Sequence, residues 1–322
     1  GYGSYGGILI TVGVSDSNIW GSGIGMSLNL EKSEVSKSAS ISVTNSRLND
    51  SDFSGSFSLF NNDMDYYDYR VMSKGFTLGT GLRFTRHISG SLSYGYSDNR
   101  YDIVDLNNTY LDPRFLESYA KGSITVGVKF DNTDDYYLPR TGFSLSQSIE
   151  KAGIGGDVNF IKSRTDFGAF KGLERLLGID AIARYKARLY YLINSGDGIL
   201  PLSEKFYMGG IGSVRGYQSY SISPTQISTD GSVIRSGGAK TFSNSIELSF
   251  PLIPKAKMRL VTFVDYGFIG DNSFTEYSRA GYGVGLEWFS PVGPIQLVLA
   301  QPLLEETGDR TSAFEFTMGQ RF

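Results

Sequence analysis

The chain has 322 residues, no cysteine, one histidine and a net charge of −3, room for a large closed sheet but not for several familiar chemistries. Missing thiols exclude disulfide staples, thiolate nucleophiles and Cys-ligated metals, and one histidine cannot build a His-rich metal site. The acidic balance argues against non-specific nucleic-acid binding, while 21 Tyr, 21 Phe and 40 Gly form the composition of a sheet.

Apolar residues alternate with polar or small ones from end to end, the period-2 pattern of half-buried strands. It opens at Ile8, Ile10, Val12 and Val14, then Ile24, Met26, Leu28 and Leu30. Ala39, Ile41 and Val43 follow, then Phe53, Phe57 and Leu59, then Phe76, Leu78, Leu82 and Phe84. Ile88, Leu92, Tyr94 and Tyr96 lead into a polar stretch, Ser97 to Pro113, that reads as a loop. Ile124, Val126, Val128 and Phe130 then oppose Ser123, Thr125, Gly127 and Lys129. Phe143, Leu145 and Ile149 repeat the plan, Phe160 to Phe170 is ambiguous, and Ala181 to Tyr191 sets Arg184, Lys186 and Arg188 on one face.

Residues 195–238 form the longest region without a strand pattern, a length that compact domains keep mainly for function. Within it EKFYMGGIGSVRGY, Glu204 to Tyr217, carries Gly209 and Gly210 for a tight fold and Arg215 beside Gly216 and Tyr217. An arginine on such a loop needs an anionic partner if it sits inside the protein. Glu247 and Asp265, on the strand-like runs SIELSF and FVDYGF, are the candidates. Parity places Glu247 opposite outward Ile246, Leu248 and Phe250; Asp265 falls opposite Leu260, Val264 and Tyr266, although Val261 and Phe263 blur that strand. Tyr282, Val284, Leu286 and Trp288 oppose Gly281, Gly283, Gly285 and Glu287, and Phe314, Phe316, Met318 and Phe322 close the chain.

About fifteen strands joined by alternating short and long connections predict an all-β, up-and-down antiparallel barrel. No run approaches the ~18 apolar residues of a membrane helix, but a barrel strand crosses with only ~9–11. One face is large and aromatic and the other charged, which suits lipid outside and a wet lumen inside. A soluble β-sandwich or propeller is the alternative, and no blade-length repeat supports a propeller.

Four segments carry a more specific signal: GGIGSVRGY, IELSFP with FVDYG, WFSPVGP with AQP, and the final FEFTMGQRF. Together with DNTDDYYLPRTGF and the opening GYGSYGGILITVGVSDSNIWGSG, they resemble the C-terminal barrel of the BamA family. These are the outer-membrane protein assembly factors of Gram-negative bacteria, within the bacterial surface antigen superfamily. The resemblance spans essentially the whole chain and implies a sixteen-stranded transmembrane barrel, integral to the outer membrane, whose sixth extracellular loop folds into the lumen. It implies that Arg215 pairs with Glu247 and Asp265 on strands twelve and thirteen. It also implies a lateral gate between the first and last strands, the latter carrying Phe314, Phe316, Met318, Gly319 and Phe322 as gate and C-terminal signal.

The function implied is folding and insertion of β-barrel proteins, neither enzymatic nor cofactor-dependent; the alternative is two-partner secretion or porin-like transport through the lumen. Implied partners are unfolded outer-membrane barrel clients, the family's periplasmic POTRA domains, lipoproteins such as BamD, and membrane lipid with lipopolysaccharide, without nucleic acid. The resemblance implies two departures: no POTRA domain is expected in these residues, and Gly1 to Gly3 is expected to fall near the end of the family's first strand, with that strand truncated here.

Other motifs are weaker. His87 and Ser89, two apart, share a strand face opposite Ile88, Leu92 and Tyr94, which is the lumen rather than the lipid that a barrel lipase must reach. DNTDD lacks the Gly and Glu of a calcium loop, having Tyr136 and Gly142 there, and reads as a polar turn. GGIGSVRG has no Lys-Ser/Thr ending and is no phosphate loop.

Overall fold

In a computed structural model, residues 2–102, 117–198, 200–227, 233–290 and 293–318 are described. Gly319 and Phe322, two of the expected gate residues, lie outside them.

The period-2 segments are strands: β1 Tyr2–Gly3, β2 Gly7–Ile8, β3 Ile10–Asp16, β4 Ile24–Lys32, β5 Ser36–Asn45, β6 Phe53–Asp65 and β7 Arg70–Arg83. They continue as β8 Ile88–Asp102, β9 Tyr119–Asp131, β10 Thr141–Gly156, β11 Phe160–Gly172 and β12 Ile182–Asn194. After the long loop come β15 Lys240–Ile253, β16 Met258–Gly270, β17 Tyr277–Ser290, β18 Gly293–Pro302 and β19 Phe314–Met318. The loop itself holds a small hairpin, β13 Thr225–Ile227 and β14 Val233–Arg235. Each long strand pairs antiparallel with the next, and β12 pairs with β15 across the loop, so one sheet winds into an up-and-down barrel.

The two faces separate as the alternation requires. On β15, Ile246 is 60% exposed on the outer face while Glu247 is 2% exposed within. Val126 and Val128 of β9 and Val284 of β17 likewise stand outward, where bilayer hydrocarbon would cover them.

The lumen is not uniformly polar, which explains where the alternation blurs. The loop folds into the lumen, and parts of the wall it packs on have apolar inward residues. Phe160 at the start of β11 packs with Ala152, Leu192, Phe206 and Ala239. Phe263 of β16 is buried inward for the same reason, in a cluster with Ile211 of the loop, and Val261 is buried on the same face. The polar stretch starting at Ser97 is not yet a loop: β8 continues to Asp102, with Asn99 turned inward to accept from Ser73 Oγ at 2.6 Å. Nor do connections alternate simply in length. At the end where the long loop begins, the first hairpins turn within 33–35 and 66–69, while 17–23 and 46–52 bridge the opposite end.

Among the described residues the barrel closes through few contacts. There β19 meets β1 at one Cα pair, Gly3 with Thr317, beside a Ser4 N–H to Phe316 carbonyl bond of 3.0 Å and a Phe316 N–H to Ser4 Oγ bond of 3.2 Å. β1 turns back on β2 at Tyr2 with Ile8 and Gly3 with Gly7. Along Ile10–Asp16, β3 pairs with β4 alone among the described residues.

Candidate functional site: the inward loop and its lumen anchors

Arg215 reaches the wall between β15 and β16. Its Nε and Nη2 donate to the two Asp265 oxygens, each at 2.7 Å, and its backbone N–H donates to the same carboxylate at 3.0 Å. Nη2 also donates to Glu247 at 2.9 Å and to Ser245 Oγ at 2.7 Å. The guanidinium lies 3.4 Å from the centroid of the Phe263 ring, a cation–π contact in a desolvated place. Thus inward Phe263, which confuses the strand's periodicity, is the floor on which the cation rests.

The charges continue along the wall. Glu247 receives Arg184 at 3.5 Å and Lys186 at 3.2 Å, and Arg184 forms a two-pronged pair with Glu287 at 2.8 and 2.9 Å. Three cations, Arg215, Arg184 and Lys186, thereby face three carboxylates, Glu247, Asp265 and Glu287. Such balance is what lets ions stay buried, since an unpaired one would cost several kcal/mol, ~3–5 when a partner is removed. Arg259, bonded to Ser249 at 2.7 Å and to Asp180 at 3.0 Å, carries the chain on toward the opposite end.

Glycine permits the close approach. Gly209, Gly210 and Gly216 have φ of 108°, 79° and 96°, where a side chain would strain the backbone. On the facing strand a Cβ at Gly281 would lie 2.0 Å from the Arg215 carbonyl oxygen. Val214 and Tyr217 flank the arginine, buried with Met208, Ile222 and Ile269. Tyr217 donates to the Leu304 carbonyl, and the Ser312 N–H donates to the Gly216 carbonyl at 3.0 Å.

This loop-in-lumen arrangement can be set beside known proteins. The Omp85 superfamily domain matches residues 18–322. The chain belongs to the Omp85 superfamily. It is 30% identical over 96% of its length to the outer membrane protein assembly factor BamA of Nitratidesulfovibrio vulgaris, covering 39% of that protein. To BamA of Neisseria meningitidis it is 26% identical over 98% of its length, covering 45% of the relative. The chain therefore spans less than half the length of these curated relatives. The crystal structure of Haemophilus ducreyi BamA lacking POTRA domains 1-3 superposes with a TM-score of 0.88 at 23% identity, covering 98% of this chain and 68% of that one. The protein is an integral outer-membrane barrel of the Omp85 fold.

The Omp85 loop has a second anchor, on the other wall, that residue patterns do not disclose. Glu204 receives Lys121 of β9 at 2.8 Å, Lys162 of β11, and the Tyr119 hydroxyl at 3.0 Å. Burial alone would raise its pKa, but the ammonium groups of Lys162 and Lys121 outweigh it and hold the carboxyl well below the usual range. Ser203 shares hydroxyl bonds with Tyr101 and Tyr119, and Leu202 is buried against Tyr69 and Val71. The only sequence hint is that Glu204 opens the arginine-bearing stretch; its partners lie too far off in the chain to be read.

Of the remaining sequence candidates, Phe314, Phe316 and Met318 turn outward on β19 and line the seam rather than joining the arginine network. His87 sits in the turn before β8, with Nδ1 3.0 Å from the Asp131 carbonyl oxygen, far from the loop anchors in topology. In the DNTDD stretch the Asp131, Asp134 and Asp135 carboxylates accept backbone N–H groups of their own turn.

Proposed function

We propose that this barrel is the membrane domain of an outer-membrane protein assembly factor, which folds and inserts β-barrel clients through a lateral gate between β1 and β19. The observation that carries the reading is the seam. Among the described residues, one Cα pair joins β19 to β1, while β3 offers an edge whose only partner is β4. A client strand arriving from the periplasm can satisfy its backbone on such an edge before it meets lipid, where an unpaired peptide group costs several kcal/mol. Similarity to relatives named as assembly factors over nearly the whole chain supports the same reading.

Clients would be unfolded outer-membrane barrels, with periplasmic POTRA domains and lipoproteins such as BamD as helpers. The Arg215 network would hold the loop docked while the seam works, keeping the lumen plugged against passage of solutes.

The test uses full-length protein in lipid vesicles, with cysteines at Gly3 and Thr317, Cα partners across the seam. Oxidation should stop insertion of an unfolded barrel client, and reduction should restore it. Undiminished insertion with the seam locked overturns the gate and favours transport through the lumen.

A further inference from the structure

The inward loop touches more than the β15–β16 wall. Glu315, between outward Phe314 and Phe316 on the last strand, turns its carboxylate inward and is 3% exposed. It accepts the Ile211 N–H at 2.8 Å on one oxygen and the Gly216 N–H at 3.4 Å on the other. Both donors belong to the loop and bracket Arg215. The segment preceding β19 also pairs with the loop, Gln218 N–H donating to the Arg310 carbonyl at 2.9 Å.

On the other side of the seam, Tyr5 lies in the turn between β1 and β2. Its ring packs 5.3 Å from Tyr220 of the loop and 5.9 Å from Tyr67, and its hydroxyl donates to the Asp65 carbonyl at 3.1 Å. Tyr67 in turn donates to the Ser219 carbonyl at 2.9 Å. Tyr220 is held at a φ of 61°, a backbone state that a tyrosine adopts only when its surroundings impose it.

We propose that loop residues 211–220 clasp the seam from inside, with Glu315 as the positioning residue on the last strand and Tyr5 as its counterpart beside the first. The inference rests on the gate reading above for its role in client insertion, but the clasp itself is a property of the barrel alone. Strand ends that share one Cα pair among the described residues gain little from their own ladder; a third segment bonded to both lowers the freedom of each. Coupling then runs both ways: a client that separates β1 from β19 loosens the loop, and a loop drawn away from Asp265 frees the seam.

Hydrogen exchange on the full-length protein in vesicles, without client, reads the clasp directly. Glu315→Ala should speed exchange at 314–318 and 2–8 by ~tenfold or more, the scale of two lost buried hydrogen bonds, while 123–130 on β9 stays at the parental rate. Glu315→Gln keeps an acceptor oxygen and should restore most of the protection. Tyr5→Leu, which leaves the strand ladders intact, should loosen the same two segments and provides the reading if Glu315→Ala does not fold. Unchanged exchange at the seam in Tyr5→Leu, or acceleration spread equally over β9, overturns the clasp. Client insertion is measured separately: a seam that responds as expected in a barrel that inserts no client overturns the assembly reading and leaves the clasp standing.

Discussion

Arg215 carries charge, shape and backbone contact in one residue. A lysine would keep the charge but lose the two-pronged fit to Asp265 and the flat stack on Phe263. Arg215→Ala leaves Glu247 and Asp265 facing each other without their shared cation, a loss of ~3–5 kcal/mol for a buried pair, less where lumen water reaches. The heat-modifiable gel mobility of the folded barrel should vanish at a lower temperature in the alanine variant, and Arg215→Lys should recover only part of the difference. Equal thermal midpoints for parent and alanine variant would show that the network does not hold the loop. Glu204 adds a pH signature. Its folded pKa lies below the unfolded value, so its contribution is fully present above the unfolded value of ~4.3 and is lost as pH falls toward the folded one. The difference in thermal midpoint between parent and Glu204→Gln should be constant from about pH 5 to 8 and narrow below about pH 4. A gap that widens on acidification would contradict the pairing with Lys121 and Lys162.

At the scale of elements, the strands have two distinct faces and β17 has a glycine-lined inner one. A Cβ at Gly281 would collide with the Arg215 carbonyl at 2.0 Å, whereas one at Gly285 finds its nearest neighbour, the Leu297 carbonyl, at 3.4 Å. Gly281→Ala should therefore cost ~1–3 kcal/mol through displacement of the loop, with Gly285→Ala near neutral. Protease accessibility of residues 204–217 would separate them, and equal accessibility would mean that the loop does not depend on that approach. On β9, Val126→Arg places a cation on the lipid face at a cost of ~2–4 kcal/mol near the bilayer midplane. Thr125→Arg, one residue away, enters the lumen and should cost less. Chemical denaturation in vesicles orders the two, and the reverse order would turn the barrel inside out.

For the whole molecule, stability is unevenly spread around the wall. β9 and β10 pair residue by residue from Ser144 with Asp131 to Ala152 with Ser123, while among the described residues β19 and β1 share Gly3 with Thr317. In the unaltered protein, amides at 314–318 should exchange at least ~100-fold faster than those at 125–129, because opening the seam breaks far fewer strand-to-strand bonds than parting β9 from β10. Comparable protection would remove the physical basis for a gate. The loop bridges this unequal wall, with Glu204 on the β9–β11 side and Arg215 on the β15–β16 side. Its displacement therefore requires two separate ion clusters to part.

Strand existence, the barrel class, the inward parity of Glu247 and Asp265, and the arginine-bearing loop were legible in sequence, because a period of two is a local property that each segment carries by itself. Parity also turns Glu287 and Glu315 inward, but it says nothing about which of the inward groups meet. What tertiary structure decided was everything that depends on the loop lying inside. Phe160 and Phe263 look like errors in alternation until the loop is placed against them, when they become its apolar bed. Glu204 finds Lys121 and Lys162 only once β9 and β11 are brought round the barrel, and Glu315 finds Ile211 and Gly216 only across the closed seam. Contacts between segments a hundred residues apart follow from closure of the sheet and leave no local pattern, so only the folded barrel could assign them.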